Sequence, residues 1–383
     1  MLMDYTPVLK RVKMSPKRRA RLVKIVNELC EVISSNLGVE AVPKGSLAKG
    51  TELKTSDVDI FVRFDSEEDM KRFIPFMRKF DPEIKHGSRD YVKVRYKGVE
   101  IEVVPVLKVP PERAENTMDL SYYHEKYVKD HLSKPDDVRL LKQFCKAQGV
   151  YGAESSVGGL SGYLVELLVI NYGSFENVIK SVAKWKPPVV VDVEGHHSLE
   201  DALTMFKTPL VVIDPVHKYR NLGAAVHPDV LYKFILSCRL FLANPSYKFF
   251  TIGNMVDSVK RRSVYRGTYL VSRVVKVRGD EDVFVSKLKK KLSTLVRNID
   301  LPVYDYGVVP SGDKVFVYVE LEYARASRRR IHVGPPVWID DHHFLAFLKK
   351  HKKVYPVGDR VCADVLRRYK SISDVRKALS KLL

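Results

Sequence analysis

The stretch from Pro43 to Phe64 reads PKGSLAKGTELKTSDVDIFVRF and places a Gly-Ser turn shortly before two aspartates. In an extended strand, alternate side chains lie on the same face, so Asp57 and Asp59 are predicted to share a face. Two neighbouring carboxylates repel each other unless a cation lies between them. Hard oxygen ligands at this spacing suit Mg²⁺, which commonly joins one or two carboxylates to substrate phosphates. The stretch therefore predicts a metal site for a nucleoside triphosphate.

In phosphoryl transfer with two metal ions, the ions hold both the attacking and the leaving oxygen. Such a site generally needs a third carboxylate as a metal ligand, and we expect it from a neighbouring strand. The strand VEIEVVPV offers Glu100 and Glu102 on one face. Glu102 is preferred, since apolar residues flank it and it lies deeper in the strand, whereas Glu100 fits an exposed position at the start of the strand.

The Gly45-Ser46 turn has a matching role on the phosphate side. Glycine lets the backbone approach a phosphate closely, and the Ser46 hydroxyl can donate to its oxygens. Lys49 lies near enough in the sequence to add a positive charge. Gly-Ser alone is common in ordinary turns, so its weight comes from the aspartates and the acidic strand that follow.

Composition points to a polyanionic partner. The chain has 383 residues, a formal net charge of +20 and a pI near 9.6. Its length predicts two to four domains at roughly 150 residues each, and its excess of Lys and Arg suits nucleic acid. The four cysteines stand singly, so neither a zinc cluster nor a disulfide framework is predicted. With no secretory signal and no apolar run near the roughly 18 residues of a membrane span, a cytoplasmic protein is expected.

Periodicity along the chain predicts an α+β multidomain protein. A helix from Ser15-Pro16 to Gly38, a mixed sheet and a helix from Ser66 to Phe80 come first, and helical patterns follow Pro110-Pro111. After Tyr265 a β, α, β, β order predicts a small open-faced sheet, a shape that many RNA-binding modules use. Lys-rich helices are predicted after Ala326.

Several segments resemble a known family. GSLAKGT, DVDIF and GVEIEVVP are similar to the nucleotidyltransferases that share a DNA polymerase β-like palm. VRLLKQFCKAQGVYGAE, GGLSGYLVELLVINYGSF, IDPVHKYRNLGAAV and RIHVGPPVW resemble the archaeal, class I CCA-adding enzymes, which complete the 3′ end of tRNA. The resemblance implies a polymerase β-like mixed-sheet palm with helices, a helical neck, a small open-faced α/β body and a basic tail. The implied boundaries are a head at 1–112, a neck at 113–258, a body at 259–325 and a tail at 326–383.

The resemblance also implies an activity and its residues. The expected reaction adds C, C and A to a tRNA 3′ end from CTP and ATP, without a template and with Mg²⁺ as the metal. Asp57, Asp59 and Glu102 match the family's metal-binding carboxylates. The residues that match its nucleotide contacts are Gly45, Ser46, Lys49, His124, Lys142, Tyr151 and Arg220. Arg220 matches the arginine that reads the edge of C or A, although a pair with Asp214 is an equal alternative from the sequence.

The sequence departs from the family in three places. Glu102 stands where the family usually has Asp, and Lys49 replaces an arginine, which gives up bidentate geometry. The residues after Trp338 match the family poorly.

Two other functions stay open at this stage. One is a poly(A) polymerase or an enzyme like oligoadenylate synthetase on the same palm, and the other is a non-catalytic tRNA-binding protein. The oligomeric state is also open, a homodimer included.

Overall fold

The computed structural model describes residues 2–87, 89–339 and 342–382, and it builds the N-terminal part of the chain around a five-stranded mixed sheet. The chain divides into two units, one of residues 1–252 and one of residues 253–383. The elements of the first part of unit one are α1 (Thr6–Val12), α2 (Pro16–Leu37), β1 (Glu40–Lys44), α3 (Gly45–Lys49), β2 (Asp59–Phe64), α4 (Glu67–Met70), α5 (Phe73–Met77), β3 (Glu83–Lys85), β4 (Tyr91–Tyr96) and β5 (Val99–Leu107).

The sheet has the strand order β1-β2-β5-β4-β3. Strand β2 is antiparallel to β1 and parallel to β5, and β5 is antiparallel to β4. The end of β1, the starts of β2 and β5, and the turn between β4 and β5 therefore lie at one end of the sheet. We call this end the catalytic end, because the predicted carboxylates lie there.

Helix α2 has the bounds that its end signals predict. The Ser15 side chain accepts a hydrogen bond from the backbone N–H of Arg18, and Gly38 ends the helix in the left-handed region with φ of 66°. Its apolar stripe, which includes the fully buried Leu29 and Ile33, packs in one core with the inward residues of the sheet. This packing fixes the strand that carries Asp59.

The helix predicted from Ser66 to Phe80 is wrong as a single element. The chain forms α4, α5 and a 3-10 turn over Arg78–Phe80 instead. Pro75 explains the break, because proline lacks an N–H and its ring clashes with the carbonyl four residues earlier in a continuous helix. The short strand β3 was also missed by the sequence prediction.

The second part of unit one is largely helical, as predicted. Its elements are α6 (Ser121–His131), α7 (Pro135–Gln148), α8 (Gly162–Tyr172), α9 (Phe175–Val182), β6 (Val189–Val191), α10 (Leu199–Met205), β7 (Leu210–Asp214), β8 (His217–Asn221) and α11 (Pro228–Ala243). Helices α7, α8, α9 and α11 bury their apolar faces in a second core, to which α1 contributes Val8 and Val12.

A three-stranded sheet lies within this helical part and was not predicted. Its order is β6-β7-β8, with β6 parallel and β8 antiparallel to β7. All five residues of β7 are buried, Asp214 among them. The sheet therefore places Asp214 and Arg220 on adjacent strands.

Unit two contains two further three-stranded sheets. Its elements are α12 (Met255–Arg266), β9 (Tyr269–Lys276), α13 (Glu281–Val296), β10 (Val303–Ser311), β11 (Lys314–Leu321), β12 (Arg329–Pro336), α14 (His342–Lys350), β13 (Tyr355–Val357), β14 (Arg360–Leu366) and α15 (Ile372–Leu382). The sheets have the orders β10-β11-β9 and β12-β14-β13. The predicted β, α, β, β succession is present, and β10 and β11 form a hairpin with Gly312 at φ of 64°.

In the sheet β10-β11-β9, helices cover one face, and a further helix covers part of the other face. One face packs against α13 and α15, since Leu288 and Val375 share its core. On the other face α12 covers Phe316 and Tyr318 through Val259. The prediction of Lys-rich helices alone after Ala326 is incomplete, because β12, β13 and β14 form a sheet there.

The predicted α+β multidomain class, with a mixed-sheet palm and a helical part after it, is confirmed. Within the described residues, no helix combines the length and the apolar character that crossing a membrane requires.

Candidate functional site

Two of the predicted carboxylates lie side by side on paired strands. Asp59 is the first residue of β2 and is in register with Glu102 of the parallel strand β5. The backbone N–H of Glu102 donates to the carbonyl of Val58 at 2.8 Å, which holds the two strand starts together. Asp57 lies in the loop two residues before β2 and is exposed, while Asp59 is partly buried. The strand that the sequence predicts for both aspartates thus starts at the second of them, and Asp57 precedes it.

The carboxylates repel one another. Burial, together with the charges of Glu102 and Asp57, raises the pKa of Asp59 to about 7. Glu102 has a partial counter-charge, since its Oε1 lies 3.3 Å from Nζ of Lys93. An added cation would relieve this repulsion and stabilise the charged form of Asp59.

Gly45 makes room for the Asp59 carboxylate. It begins α3, so the predicted Gly-Ser turn is the first part of a one-turn helix. Its φ is +69°, and a Cβ atom built on it would lie 1.9 Å from Oδ2 of Asp59. Glycine is thus required for two reasons, the backbone conformation and the close approach of the aspartate. Ser46 follows in the same turn of helix.

The donor set fits a hard divalent cation. Asp57, Asp59 and Glu102 offer only oxygen ligands, which Mg²⁺ prefers, and their mutual repulsion is what such a cation would relieve. Among residues 2–87, 89–339 and 342–382, however, no three Asp, Glu, His or Cys side chains lie close enough together to hold a metal ion. Glu102 is instead engaged with Lys93, so a metal would compete with this lysine for the carboxylate.

The two lysines predicted to contact the triphosphate share one buried carboxylate. Nζ of Lys49 lies 2.5 Å from Oε2 of Glu166, and Nζ of Lys142 lies 3.0 Å from its Oε1. The Thr51 hydroxyl also donates to Oε1 of Glu166 at 2.6 Å, and it accepts from Nζ of Lys142 at 3.1 Å. Glu166 therefore joins α3 of the palm to helices α7 and α8.

This cluster is held in its charged form by mutual pairing. Burial alone would raise the pKa of Glu166, but the charges of Lys49 and Lys142 and their hydrogen bonds lower it to about 2. Burial lowers the pKa of Lys142, and the charge of Lys49 acts in the same direction against the attraction of Glu166. The side chain of Glu166 is 0% exposed, so its two cationic partners and the Thr51 hydroxyl compensate for lost water.

Tyr151 lies beside the lysine cluster. A Cβ atom built on Gly162 would lie 3.0 Å from the Tyr151 hydroxyl and 3.9 Å from Nζ of Lys142, so both side chains border the start of α8. Nζ of Lys146 lies 5.2 Å from the centre of the Tyr151 ring. Burial, with the charge of Glu166, raises the pKa of Tyr151, which keeps its hydroxyl a hydrogen-bond donor.

A second buried carboxylate joins His124 and Arg220. Oδ2 of Asp214 lies 2.8 Å from Nε2 of His124 and accepts a hydrogen bond from Nη1 of Arg220 at 3.1 Å. The pair between Arg220 and Asp214 that the sequence allowed is thus present, and it coexists with the predicted histidine. Burial would raise the pKa of Asp214, but the hydrogen bond from His124 and the nearby positive charges lower it.

Stacked rings connect the two clusters. The His124 ring stacks on the Tyr163 ring with centroids 4.1 Å apart and planes at 28°. Nζ of Lys49 lies 5.8 Å from the centre of the same Tyr163 ring. The structure therefore gathers the predicted residues of the palm and the helical part around one site, with Lys49 and Tyr163 in the middle.

Sequence reasoning missed Glu166 and Tyr163 and saw Asp214 only as a partner for Arg220. A signal for Glu166 was available, because it is the one charged residue in the apolar stretch LVELLVI. A charge on a buried helix needs a partner, although its spacing does not say which one.

Comparisons with known protein families cover most of the chain. Residues 22–148 match a nucleotidyltransferase domain, residues 136–251 match the second domain of tRNA nucleotidyltransferase, and residues 266–381 match the C-terminal domain of CCA-adding enzyme. The last match extends well beyond Trp338, although the sequence after Trp338 was expected to match the family poorly.

Full-length relatives and solved structures agree with these matches. CCA-adding enzymes of Methanothermobacter thermautotrophicus, Methanosarcina barkeri and Sulfurisphaera tokodaii are 31%, 32% and 33% identical to the chain. The alignments cover 100%, 96% and 97% of the chain and 89%, 85% and 90% of these relatives. A crystal structure of the poly(U) polymerase Cid1 is similar over 64% of the chain and 96% of its own, with a TM-score of 0.52 at 18% identity, which shows a shared fold.

Proposed function

Because this chain belongs to the family of CCA-adding enzymes, we propose that it adds C, C and A in turn to the 3′ end of tRNA. The nucleotides would come from CTP and ATP, and the reaction would need no nucleic-acid template. The terminal 3′-OH of the tRNA attacks the α-phosphorus of the nucleotide, a new phosphodiester bond forms, and pyrophosphate leaves.

The observation that carries this proposal is the electrostatic state of Asp59. Its carboxylate lies against Gly45, in register with Glu102, and its pKa of about 7 reflects burial beside two other carboxylates. A carboxylate whose pKa is raised by burial and by neighbouring carboxylates is typical of a functional position. An isolated structural aspartate would have a cationic or hydrogen-bonding partner, as Asp214 has.

The palm residues have different roles in phosphoryl transfer. The family uses divalent metal ions; we assign Mg²⁺, which when bound at Asp57, Asp59 and Glu102 would activate the 3′-OH and neutralise the leaving pyrophosphate. Ser46 donates its hydroxyl to the triphosphate from the first turn of α3. Lys49 supplies a point charge to the same group from the end of that helix.

The helical part completes the nucleotide site. Lys142 gives its N–H groups to Thr51 and Glu166, so a contact with the triphosphate would replace one of these bonds, and Tyr151 lies beside it at the start of α8. Arg220 gives one N–H to Asp214, and a guanidinium group carries five such donors, so others stay free for the acceptors of a C or A base. Asp214 also bonds to His124, which fixes that ring near the same base.

The deciding experiment is nucleotide incorporation on tRNA that ends at its discriminator base. We expect two residues from labelled CTP, and one from ATP only after both are in place. The Asp59→Ala variant should lose a few hundredfold or more in rate, the scale on which a metal site contributes to catalysis.

Four results would count against the proposal. Incorporation of UTP or GTP as readily as CTP would exclude this nucleotide specificity, and full activity of Asp59→Ala would exclude the assigned site. A ladder of indefinite length from ATP alone would favour a poly(A)-type polymerase. Tight, salt-sensitive tRNA binding without incorporation under any divalent metal would favour a non-catalytic RNA-binding protein.

A further inference from the structure

We propose that a basic cavity beside the catalytic end of the head sheet binds the phosphate backbone of the acceptor strand of tRNA. The inference rests on the proposed function and assigns a surface to its RNA substrate. The cavity has a volume of about 600 Å³, and cations from α2, the loop before β2, strand β4 and the β4–β5 turn line it, namely Arg18, Arg21, Lys54, Arg95 and Lys97.

The topology places the β4–β5 turn of this cavity at the same end of the sheet as the carboxylates, while the floor residue Val58 alternates with Asp57 and Asp59 and faces α2. Tyr96 pairs with Val99, so Lys97 and Gly98 form a two-residue turn between β4 and β5. That turn lies at the same end of the sheet as the first residue of β2 and the start of β5, because β2 is parallel and β4 antiparallel to β5. The cavity also includes Ser56 and Val58, which flank Asp57 in the chain.

The order of the strands separates this cavity from the triphosphate residues. Ser46 and Lys49 lie on α3, which follows β1 on one side of β2. The β4–β5 turn lies on the other side of β2, beyond β5. In phosphoryl transfer the attacking and leaving oxygens are roughly in line, so the acceptor 3′-OH must approach from the side opposite the pyrophosphate. The β4–β5 turn, which forms one edge of the cavity, lies on that side of β2.

The cations of the cavity are available to an anionic ligand. Arg18, Arg21 and Lys54 are exposed, and they form no ion pair with any residue in the described part of the chain. Arg95 pairs with Glu100 at 2.7 Å and Lys97 with Glu28 at 2.6 Å, but all four side chains are at least 31% exposed, and such surface pairs contribute little. A phosphate could therefore replace these partners at small cost.

The floor of the cavity favours a nucleic acid strand over a free anion. Leu22, Ile25 and Val58 contribute apolar surface beneath the cationic rim. A compact, strongly hydrated phosphate or pyrophosphate would gain nothing from an apolar floor, whereas RNA presents phosphates at its edge and the less polar faces of its riboses beside them. Phosphate contacts of this kind position a nucleic acid without reading its sequence.

The test compares two triple variants that lose the same charge. The first is Arg18→Gln, Arg21→Gln and Lys54→Gln. We measure its affinity for tRNA lacking the 3′ CCA by filter binding at several salt concentrations, and its KM for CTP by incorporation. Each lost phosphate contact should lower the slope of log affinity against log salt by about 0.7–0.9, so we expect a slope smaller by about 2 and at least about tenfold weaker binding near 0.1 M salt.

The control with the same loss of charge is Lys71→Gln, Arg72→Gln and Lys108→Gln. Lys71 and Arg72 follow α4, Lys108 follows the far end of β5, and each forms a surface ion pair that contributes little. This control should keep the wild-type slope, and the KM for CTP should be unchanged in both variants. Equal slopes in the two variants would overturn the assignment, since net charge would then explain the effect. A KM for CTP that rises as much as the tRNA affinity falls would also overturn it, because the cavity would then serve the nucleotide. Wild-type protein that binds tRNA without incorporating nucleotides would refute the proposed function instead, because binding is measured separately.

Discussion

The substitution Glu166→Gln tests the idea that one buried carboxylate holds both of the lysines that we propose as triphosphate ligands. Glutamine keeps the size and shape of the side chain and removes its charge. Lys49 and Lys142 then face an amide that can accept from only one of them, because the other end of the amide is itself a donor. Two ammonium groups are left near each other with 11% and 3% of their side chains exposed.

The expected loss of stability follows from two independent routes. Removing one partner of a buried ion pair costs about 3–5 kcal/mol. The pKa of Glu166, about 2 against an ordinary value of 4.5, corresponds to about 3 kcal/mol at roughly 1.4 kcal/mol per pH unit. We therefore expect the free energy of unfolding to fall by about 3 kcal/mol at pH 7.

The pH dependence has a definite sign. Because folding lowers the pKa of Glu166, its contribution is fully present above the unfolded value near 4.5 and is lost as the pH falls toward about 2. The difference in stability between wild type and Glu166→Gln should therefore be constant from pH 5 to 7. It should shrink only in more acidic solution.

The assay is urea unfolding followed by the fluorescence of Trp185, which is buried in unit one. A Trp338→Phe background makes Trp185 the remaining tryptophan, since the chain has two. Glu40→Gln is the control, because Glu40 also pairs with a cation, Arg63, but is about half exposed, so its substitution should cost less than about 1 kcal/mol.

Activity gives a second readout of the same substitution. KM for CTP and KM for ATP should rise by a common factor, since the lysines would contact the triphosphate and not the base. A loss of stability no larger than that of Glu40→Gln would refute the reasoning, as would a KM effect confined to one nucleotide.

Three further predictions concern the remaining parts of the site. Gly45→Ala should reduce kcat at least about a hundredfold with an unchanged circular dichroism spectrum, because its Cβ would displace the Asp59 carboxylate 1.9 Å away. Asp59→Asn should raise the free energy of unfolding by about 1 kcal/mol in urea titrations while incorporation is lost, since it removes repulsion from the neighbouring carboxylates. Arg220→Lys should lower the ratio of kcat/KM for CTP to that for UTP by about tenfold or more, because a point charge cannot reproduce the guanidinium fork that Asp214 orients.

The parts of the fold that sequence predicted well are those set by local signals. Helix α2 has Ser15 and Pro16 at its start and Gly38 at its end, and all three act within one turn of the helix. The hairpin between β10 and β11 is likewise set by Gly312 and the alternation on either side of it. Such signals need no knowledge of the tertiary structure.

The small sheet β6-β7-β8 could not be found in the same way. Strand β6 has three residues, and β8 reads HKYRN, which contains no apolar alternation that would mark a strand. Its strand character comes from pairing with the fully buried β7. The position of Arg220 relative to His124 therefore depends on contacts between residues about 90 positions apart.

The residues of the candidate site show the same difference between local signals and long-range contacts. Asp59 and Glu102 follow from periodicity within single strands, so the sequence could name them as partners before their register was known. Glu166 and Asp214 are different, because each is a buried acid whose meaning depends on cations brought from distant elements. Each of them holds two predicted nucleotide ligands, Glu166 the triphosphate lysines and Asp214 the residues near the base.

Because one acid holds two predicted nucleotide-binding residues, substitution of the acid should differ in its effect from substitution of either residue that it holds. Loss of a lysine removes one contact and leaves a buried carboxylate with its other partner, whereas loss of Glu166 leaves both lysines without a counter-charge at once. The acids should therefore tolerate change less well than the ligands they hold, although they need not touch the substrate. The same reasoning applies to Asp214, where substitution should disturb His124 and Arg220 together and so weaken base selection more than binding of the triphosphate.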